Sequence, residues 1–319
     1  MQLRAFQAVL STGSFAKAGA ELGFTASAVS QQVAALERTT GLLLFERGPR
    51  SVRPTGLAHA LGSRVSTVLA QLDGLEREVT AMAAGGRGIV RIGSFPTASA
   101  GLLPGALARL TRSQAGLEVL LDEAEPDDLV LRLEAAMLDV ILVYEYYLVP
   151  QFWPSGLQRT TLLSESLVLL VDSAHPLAAR DGGPANLAEL AGETWAASLK
   201  GTAGARSLDR LCAEAGFAPR IAYRSNDYNV IRGLVSAGLG VALVPELAHA
   251  DDPRTRSVGV ASAGAGRRVI ALHRKGDTSP ALVSVLRALA GEGRTQARSD
   301  RRRPIAGRAV RKELDRGRT

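Results

Sequence analysis

Apolar residues recur at helical spacing from the start of the chain. Leu3, Phe6, Val9 and Leu10 share one face over residues 2–12, which predicts an amphipathic helix. Thr12-Gly13-Ser14 interrupts the pattern. A short helix over 15–22 follows, with Ser14 as its N-cap and Gly23 as the turn behind it. Another helix is expected from about Ser27, with Ala28, Val29, Val33 and Leu36 facing inward. Helix, short turn and helix make a helix-turn-helix. Leu42–Phe45 and the residues up to Pro54 read as a small hairpin with a basic tip, a wing. Thr55 is placed to cap a long helix. Its apolar residues Leu57, Leu61, Val65, Val68, Leu72, Leu75 and Val79 step by four or three, a narrow stripe of coiled-coil type. Paired with a second copy, Leu61, Val65, Val68 and Leu72 should be the most buried. The stripe ends at Gly85-Gly86-Arg87-Gly88, expected to be a flexible joint.

From Ile89 the pattern changes to strands and helices in alternation. Strands are expected over 89–93, 117–121, 140–144, 167–171, 241–244 and 269–273. Helices are expected over 102–110, 129–137, 207–215, 229–237 and 281–289. Such alternation argues for an α/β fold with a largely parallel sheet. No internal repeat appears at a fixed period.

Composition narrows the setting. No apolar run reaches the ~18–20 residues that span a bilayer. The opening Met-Gln-Leu-Arg-Ala-Phe-Gln does not read as a signal peptide. The single cysteine, Cys212, can form neither an internal disulfide nor a cysteine-based zinc site, and is expected as a small apolar residue on a helix. These features place the chain in the cytoplasm. The net charge of +7 is uneven. Residues 294–319 hold ten Lys/Arg and three Asp/Glu, which is the whole excess. Residues 1–59 hold six basic and three acidic side chains, so a basic head precedes a more acidic body. The basic tail has few large apolar groups and is expected to be disordered.

The helix from Thr25 to Glu37 carries the sharpest chemical signal. Thr25, Ser27, Ser30 and Gln31 fall on or near the outer face of its first turns. Hydroxyls reach phosphates or base edges, and a Gln amide can pair with adenine. A helix N-terminus adds a positive dipole end near phosphate. Arg47, Arg50 and Arg53 on the wing would clamp phosphate or enter the minor groove. The plainer alternative is a solvated helix with ordinary polar residues.

The stretches Phe15 to Leu22, Ser27 to Val33 with Leu36-Glu37, Gly41 to Arg47 and Val52 to Thr55 resemble the winged helix-turn-helix of the LysR-type transcriptional regulators. Gly93 to Pro104, Leu138-Asp139-Val140, His175-Pro176-Leu177 and Gly233 to Pro245 resemble that family's sensor domain. The likeness covers roughly residues 1–292. Ala26, Pro54, Gly56 and Ala58 depart from the usual pattern, and the tail has no counterpart. The resemblance implies a sequence-specific regulator of double-stranded DNA controlled by a small-molecule effector, acting as a homodimer or homotetramer. It adds Gln32 to the DNA-contact residues. It implies a DNA-binding domain over 1–58, a linker and dimerisation helix over 59–88, and an effector-binding domain over 89–293, then the tail from 294. The effector domain would be a periplasmic-binding-protein-like pair of lobes, about 89–162 with 266–292, and 163–265.

Effectors of such folds lie between the lobes, at strand ends and helix starts. Thr97 and Ser99 follow the first strand of the sensor, Lys200 and Thr202 precede a helix, and Asn226 and Asp227 precede another. Each could instead cap its helix. Lys200 favours an anionic effector, while Asp227 and Glu145 could favour a cation. Tyr144-Glu145-Tyr146-Tyr147 reads either as a pocket wall or as packing or a dimer surface. An enzyme is not expected. His59, His175, His249 and His273 are scattered, with no metal-binding spacing, no nucleophile elbow and no phosphate loop. No catalytic residue, metal or cofactor is assigned.

Overall fold

The computed structural model describes residues 1–48, 52–83, 88–114, 116–180 and 183–300. By contact the chain divides into Met1–Ile89 with Val130–Leu138, and Val90–Leu129 with the residues from Asp139 onward.

The first unit opens with α1 (Gln2–Thr12), α2 (Phe15–Leu22) and α3 (Ala26–Thr40). Ser14 caps α2 and Thr25 caps α3 through Ala28 N at 3.2 Å, while Gly23 takes a left-handed φ of 70° in the turn between them. Phe6, Val9, Val29, Val33, Leu44 and Phe45 form the core. Phe45 meets the Phe6 and Phe15 rings at 5.8 and 6.3 Å. Strands β1 (Phe45–Arg47) and β2 (Val52–Pro54) make the wing, with Glu46 opposite Arg53. The Glu37 carboxylate accepts from Leu44 N at 2.8 Å and Phe45 N at 3.1 Å, which fixes the start of the wing to α3.

Gly19 sets the angle between α2 and α3. It is buried, and a Cβ there would lie 2.6 Å from Phe24 O and 3.2 Å from Ala26 N. Both are backbone atoms, which cannot swing aside. Gly19→Val is expected to destabilise this unit by about 1–3 kcal/mol. Circular dichroism melts should show a lower midpoint, and an unchanged melt would mean the turn has slack.

Thr55 caps α4 (Gly56–Ala83), accepting from Ala58 N at 3.2 Å. The helix therefore begins inside the segment assigned above to the DNA-binding domain. Its apolar stripe splits in two. Ala58 and Val65 are buried in the head core, with Leu61 and Leu69 packed beside them. Leu57, Val68, Leu72, Leu75 and Val79 are exposed. Val65 thus belongs to the head and not to the centre of a helix-pairing seam. The two rows lie on different faces because the sequence steps place them so around one helix. Ala58 replaces a usual family residue yet is fully buried, and Gly56 faces open space. Most of the expected joint, residues 84–87, lies outside the described residues.

The second unit contains β3 (Ile89–Ser94, from Val90), α5 (Pro96–Gly101), α6 (Leu103–Ser113) and β4 (Glu118–Glu123). Helix α7 (Pro126–Glu134), which belongs to this unit only up to Leu129, and strands β5 (Val140–Tyr146) and β6 (Leu157–Asp172) follow. Then come β7 (Thr194–Ala197), α8 (Ala203–Glu214), β8 (Arg220–Arg224), α9 (Tyr228–Ser236), β9 (Val241–Pro245), β10 (Thr255–Gly259), β11 (Gly266–Arg274) and α10 (Pro280–Asp300). Among the described residues the sheet order is β4-β3-β5-β11-β6-β9-β7-β8, with β10 also on β6.

The sheet is mixed, not largely parallel. β3–β5, β7–β8 and β7–β9 pair parallel, whereas β11 pairs antiparallel with β5 and β6, and β6 antiparallel with β9 and β10. The cause is the pair of strands that carries the chain from one lobe to the other and back. They run in opposite directions through the middle of the sheet. β6 pairs with β11 up to Ser166 and with β9 from Leu167. One lobe's core gathers Ile92, Phe95, Leu103, Val140, Leu142, Leu282 and Leu289. The other gathers Leu169, Val171, Trp195, Leu208, Leu211 and Cys212.

Residues 294–300, expected to be disordered, are helical instead. α10 continues to Asp300, held by an Arg109–Glu292 ion pair, by Arg109 to Thr295 Oγ1 at 3.4 Å, and by Ala297 against the lobe core. Residues 301–319 lie outside the described residues.

Candidate functional site

In the head, the first turns of α3 present their polar residues to solvent. Thr25, Ser27 and Gln31 are exposed, and Ser30 and Gln32 are half-buried. The Thr25 oxygen is engaged in capping. Ala26, where the family usually has a longer polar residue, is exposed at the first helical position. Arg53 is exposed on β2, Arg47 lies on β1, and Arg50 lies outside the described residues. The arrangement offers hydroxyl and amide groups on one helix beside a basic wing. Such a helix fits the width of a DNA major groove.

In the second unit a cavity of about 370 Å3, measured to its open mouth, lies among strand ends and helix starts of both lobes. Thr97, Thr202 and Asn226 line it, as do Glu125, Tyr144, Tyr146, Ser198, Gly204, Tyr228 and Arg267. Ser99, Lys200 and Asp227 do not. Ser99 sits half-buried on α5. Lys200 points into solvent from the loop whose Ser198 faces the cavity. Asp227 is exposed and caps α9 through Asn229 N at 2.8 Å. Helix capping is also the visible task of Thr202, which accepts from Ala205 N and donates to Leu199 O at 2.8 Å.

The dominant group is one that the sequence reading missed. Arg267 is 1% exposed on β11. Its Nε donates to Glu165 Oε1 at 2.7 Å, and its Nη2 donates to Thr97 Oγ1 at 2.7 Å. The guanidinium carbon stands 5.3 Å from the Phe95 and Tyr144 ring centres and 5.8 Å from that of Tyr146. Burial alone lowers an arginine pKa, but the adjacent Glu165 carboxylate outweighs it and the net direction is up. Glu165 Oε2 accepts from Leu247 N at 2.6 Å. Thr97, Arg267, Glu165 and Leu247 therefore form one polar chain from α5 through both crossing strands to the loop after β9.

Beside this chain, the Tyr144 hydroxyl donates to Glu125 at 2.8 Å. The Asn226 amide also donates to Glu125, at 3.1 Å, and its carbonyl accepts from Leu199 N at 3.0 Å. Desolvation first, and nearby Tyr146 and Glu125 next, push the Tyr144 hydroxyl well above its ordinary pKa. Tyr228 is raised likewise, by burial and then by Tyr146. These phenols stay protonated near neutrality and serve as hydrogen-bond donors.

The tyrosine cluster resolves by strand alternation. Tyr144 and Tyr146 face the cavity, while Glu145 points the other way to Arg159 at 3.3 Å. Tyr147 lies past the strand end against Arg268, at 5.0 Å. Tyr144 and Tyr146 thus stand in the cavity wall, and Tyr147 packs outside it. A serine–histidine–aspartate group also exists, with His249 3.0 Å from Ser257 and 3.2 Å from Asp251. Ser257 is buried on β10 and Asp251 is fully exposed, the reverse of what a hydrolase requires. Among the described residues, no group of three or more His, Cys, Asp or Glu is placed to hold a metal, and no helix is long and apolar enough to cross a membrane.

Comparison with known proteins matches residues 1–59 to the bacterial regulatory helix-turn-helix protein, lysR family, and residues 83–294 to the LysR substrate binding domain. The chain is 28% identical to the uncharacterized HTH-type transcriptional regulator YybE of Bacillus subtilis over 259 residues, 81% of this chain and 86% of that one. It is 32% identical to a probable hydrogen peroxide-inducible genes activator of Streptomyces viridosporus over 249 residues, 77% of each. A full-length OxyR variant from Pseudomonas aeruginosa shares the fold, with a TM-score of 0.65 at 21% identity, covering 92% of this chain and 93% of that one. Both domain matches, the relatives and the two-part architecture agree: this chain belongs to the LysR family of DNA-binding transcriptional regulators, with a helix-turn-helix head and an effector-binding domain.

Proposed function

We propose that the protein reads its operator with Thr25, Ser27, Ser30, Gln31 and Gln32 on α3 and with Arg47, Arg50 and Arg53 on the wing, and that a small effector bound among Thr97, Thr202, Asn226, Tyr144, Tyr146 and Arg267 controls it in the cytoplasm. The observation that carries this reading is the cavity, which brings a fully buried guanidinium and several hydroxyls to one place among strand ends and helix starts. Two copies pair through the exposed row of α4, so that two heads read a partly palindromic site.

The peroxide-linked name of one relative does not extend to thiol sensing here. Cys212 is the single cysteine of the chain and is fully buried on α8. Burial first, and Asp209 second, push its thiol up to about 12. Near neutral pH it stays a thiol, the unreactive form, and it has no partner cysteine for a disulfide. The signal therefore enters by binding and not by oxidation of a cysteine.

Two substitutions test the DNA half. Gln31→Ala should relax base preference at one operator position, at a cost of about 1–3 kcal/mol. Arg53→Ala should weaken binding to operator and scrambled DNA alike and flatten its salt dependence, because a phosphate contact releases counterions. Titrations of both DNAs over a range of salt separate the two effects. Wild-type affinity in both variants would remove α3 and the wing from the interface.

A further inference from the structure

Helix α1 stands between the helix that reads DNA and the helix that pairs. On one side its Phe6 and Val9 share a core with Val29 and Val33 of α3. Its other side lies along α4. Gly62 is buried there, and a Cβ on it would overlap the Leu10 Cδ2 methyl, so the missing side chain admits α1 close to the α4 backbone. Val65 joins Phe6 in the head core, with Leu3 and Leu69 at its margin. Farther along, Arg4 Nη2 reaches Asp73 Oδ1 at 2.7 Å and Glu76 Oε1 at 3.5 Å. Residue numbers fall along α1 as they rise along α4, so the two helices run antiparallel.

The head is thus joined to α4 from Ala58 to Glu76, about 27 Å of helix. The exposed row begins inside that length. Val68, Leu72 and Leu75 are the immediate neighbours of Leu69, Asp73 and Glu76. Head attachment and pairing row therefore overlap along the same turns, with no separate length of helix between them to bend.

Spacing on DNA follows from this overlap. Moving one half-site by one base pair shifts it about 3.4 Å along the duplex and turns it about 34°. Shared between two symmetric heads, the turn is about 17° each. Pivoted about the Gly62 contact, such a swing displaces α1 by about 5 Å at the level of Asp73, about 16 Å farther along α4. That move would pull Arg4 from its 2.7 Å contact. Arg4 and Asp73 are 37% and 40% exposed, so the pair adds little to folding. Its effect is on angle: it favours one inclination of the head to the pairing row, once in each copy.

We infer that Arg4 is a positioning residue for operator architecture. Through Asp73 and Glu76 it fixes the angle of the head to α4, and so the number of base pairs that the dimer accepts between half-sites. This inference rests on the pairing of two copies through α4.

The test uses the full-length protein. A half-site is selected from random duplex DNA, and duplexes with two inverted copies of it are made with spacers stepped by one base pair through a helical turn. Band-shift titration should show the wild type preferring one spacer. Arg4→Ala should keep its dimeric mass and its affinity for a single half-site. Its preference for that spacer over spacers one base pair longer or shorter should fall about fivefold, the loss of an exposed ion pair in each of two heads. Arg4→Lys should keep most of the preference. Arg4→Glu should lose more, since it faces two carboxylates, and adding Asp73→Arg should restore it. An Arg4→Ala dimer with wild-type spacer preference would overturn the inference and leave the pairing of α4 intact. An Arg4→Ala protein weakened equally on a single half-site and at every spacer would assign Arg4 to the stability of the head, which also overturns it. A wild type that is monomeric by light scattering would overturn the pairing itself, and this inference with it.

Discussion

Glu165→Ala is expected to cost the effector domain about 3–5 kcal/mol, enough to unfold a marginal domain. The substitution leaves the Arg267 guanidinium buried at 1% exposure with Thr97 and three aromatic faces but no counter-charge. It also strips Leu247 N of its acceptor. Urea denaturation followed by tryptophan fluorescence would report a lower midpoint, since Trp195 lies in the core of the second lobe. Glu165→Gln should fall between, because an amide oxygen can still accept but carries no charge. The double variant Glu165→Leu with Arg267→Met should recover much of the loss, since an apolar pair leaves no buried charge unpaired. An unchanged midpoint in Glu165→Ala would show that water or another group reaches the guanidinium.

Leu72→Asp with Val79→Asp should convert the protein to monomers by light scattering. These residues are 43% and 57% exposed on α4, aligned with Val68 and Leu75 at the four-three spacing of a two-helix seam. Burying such side chains between two copies is worth about 1.5–3 kcal/mol each, and an aspartate in their place brings in an unpaired charge. Because neither residue packs in the head core, the monomers should keep native circular dichroism. Val65→Asp should behave differently: Val65 is 4% exposed within the head, so that variant should unfold it. A Leu72/Val79 double variant that stays dimeric would exclude this row as the main interface.

The contrast between Val65 and Val68 shows where the sequence stops informing. The four-three spacing marks both as apolar helix positions. It does not say which row is consumed by the head's own core, because that depends on Phe6, Val29 and Leu36 arriving from elsewhere in the chain. Local signals were legible. Ser14, Gly23, Thr25 and Thr55 act where capping and turn chemistry place them. The short strands β7, β8 and β10 went unread, as they are four or five residues long and flanked by mixed sequence.

The cavity was half legible. Thr97, Thr202 and Asn226 stand at helix starts, and family resemblance pointed to those starts. Arg267 has no such marker. It sits in an Arg267-Arg268 pair at a strand end, a pattern that ordinarily reads as solvated surface. Strand alternation sends one of the two inward, and its partners Glu165 and Thr97 are 102 and 170 residues away. Lys200 misled for the complementary reason, as an isolated cation beside a helix start whose backbone approaches the cavity while its side chain does not.

The partner exchange on β6 bears on modularity. One sixteen-residue strand belongs to both lobes, with β11 along its first part and β9 along its last. Severing the chain between Ser166 and Leu167 would leave each fragment with half a strand and an open sheet edge, ready to pair with foreign backbone. It would also part Glu165 from the Leu247 amide it holds. Neither lobe is thus a transplantable part. In chimeras built to give this DNA-binding head a new input, the two lobes must be exchanged together.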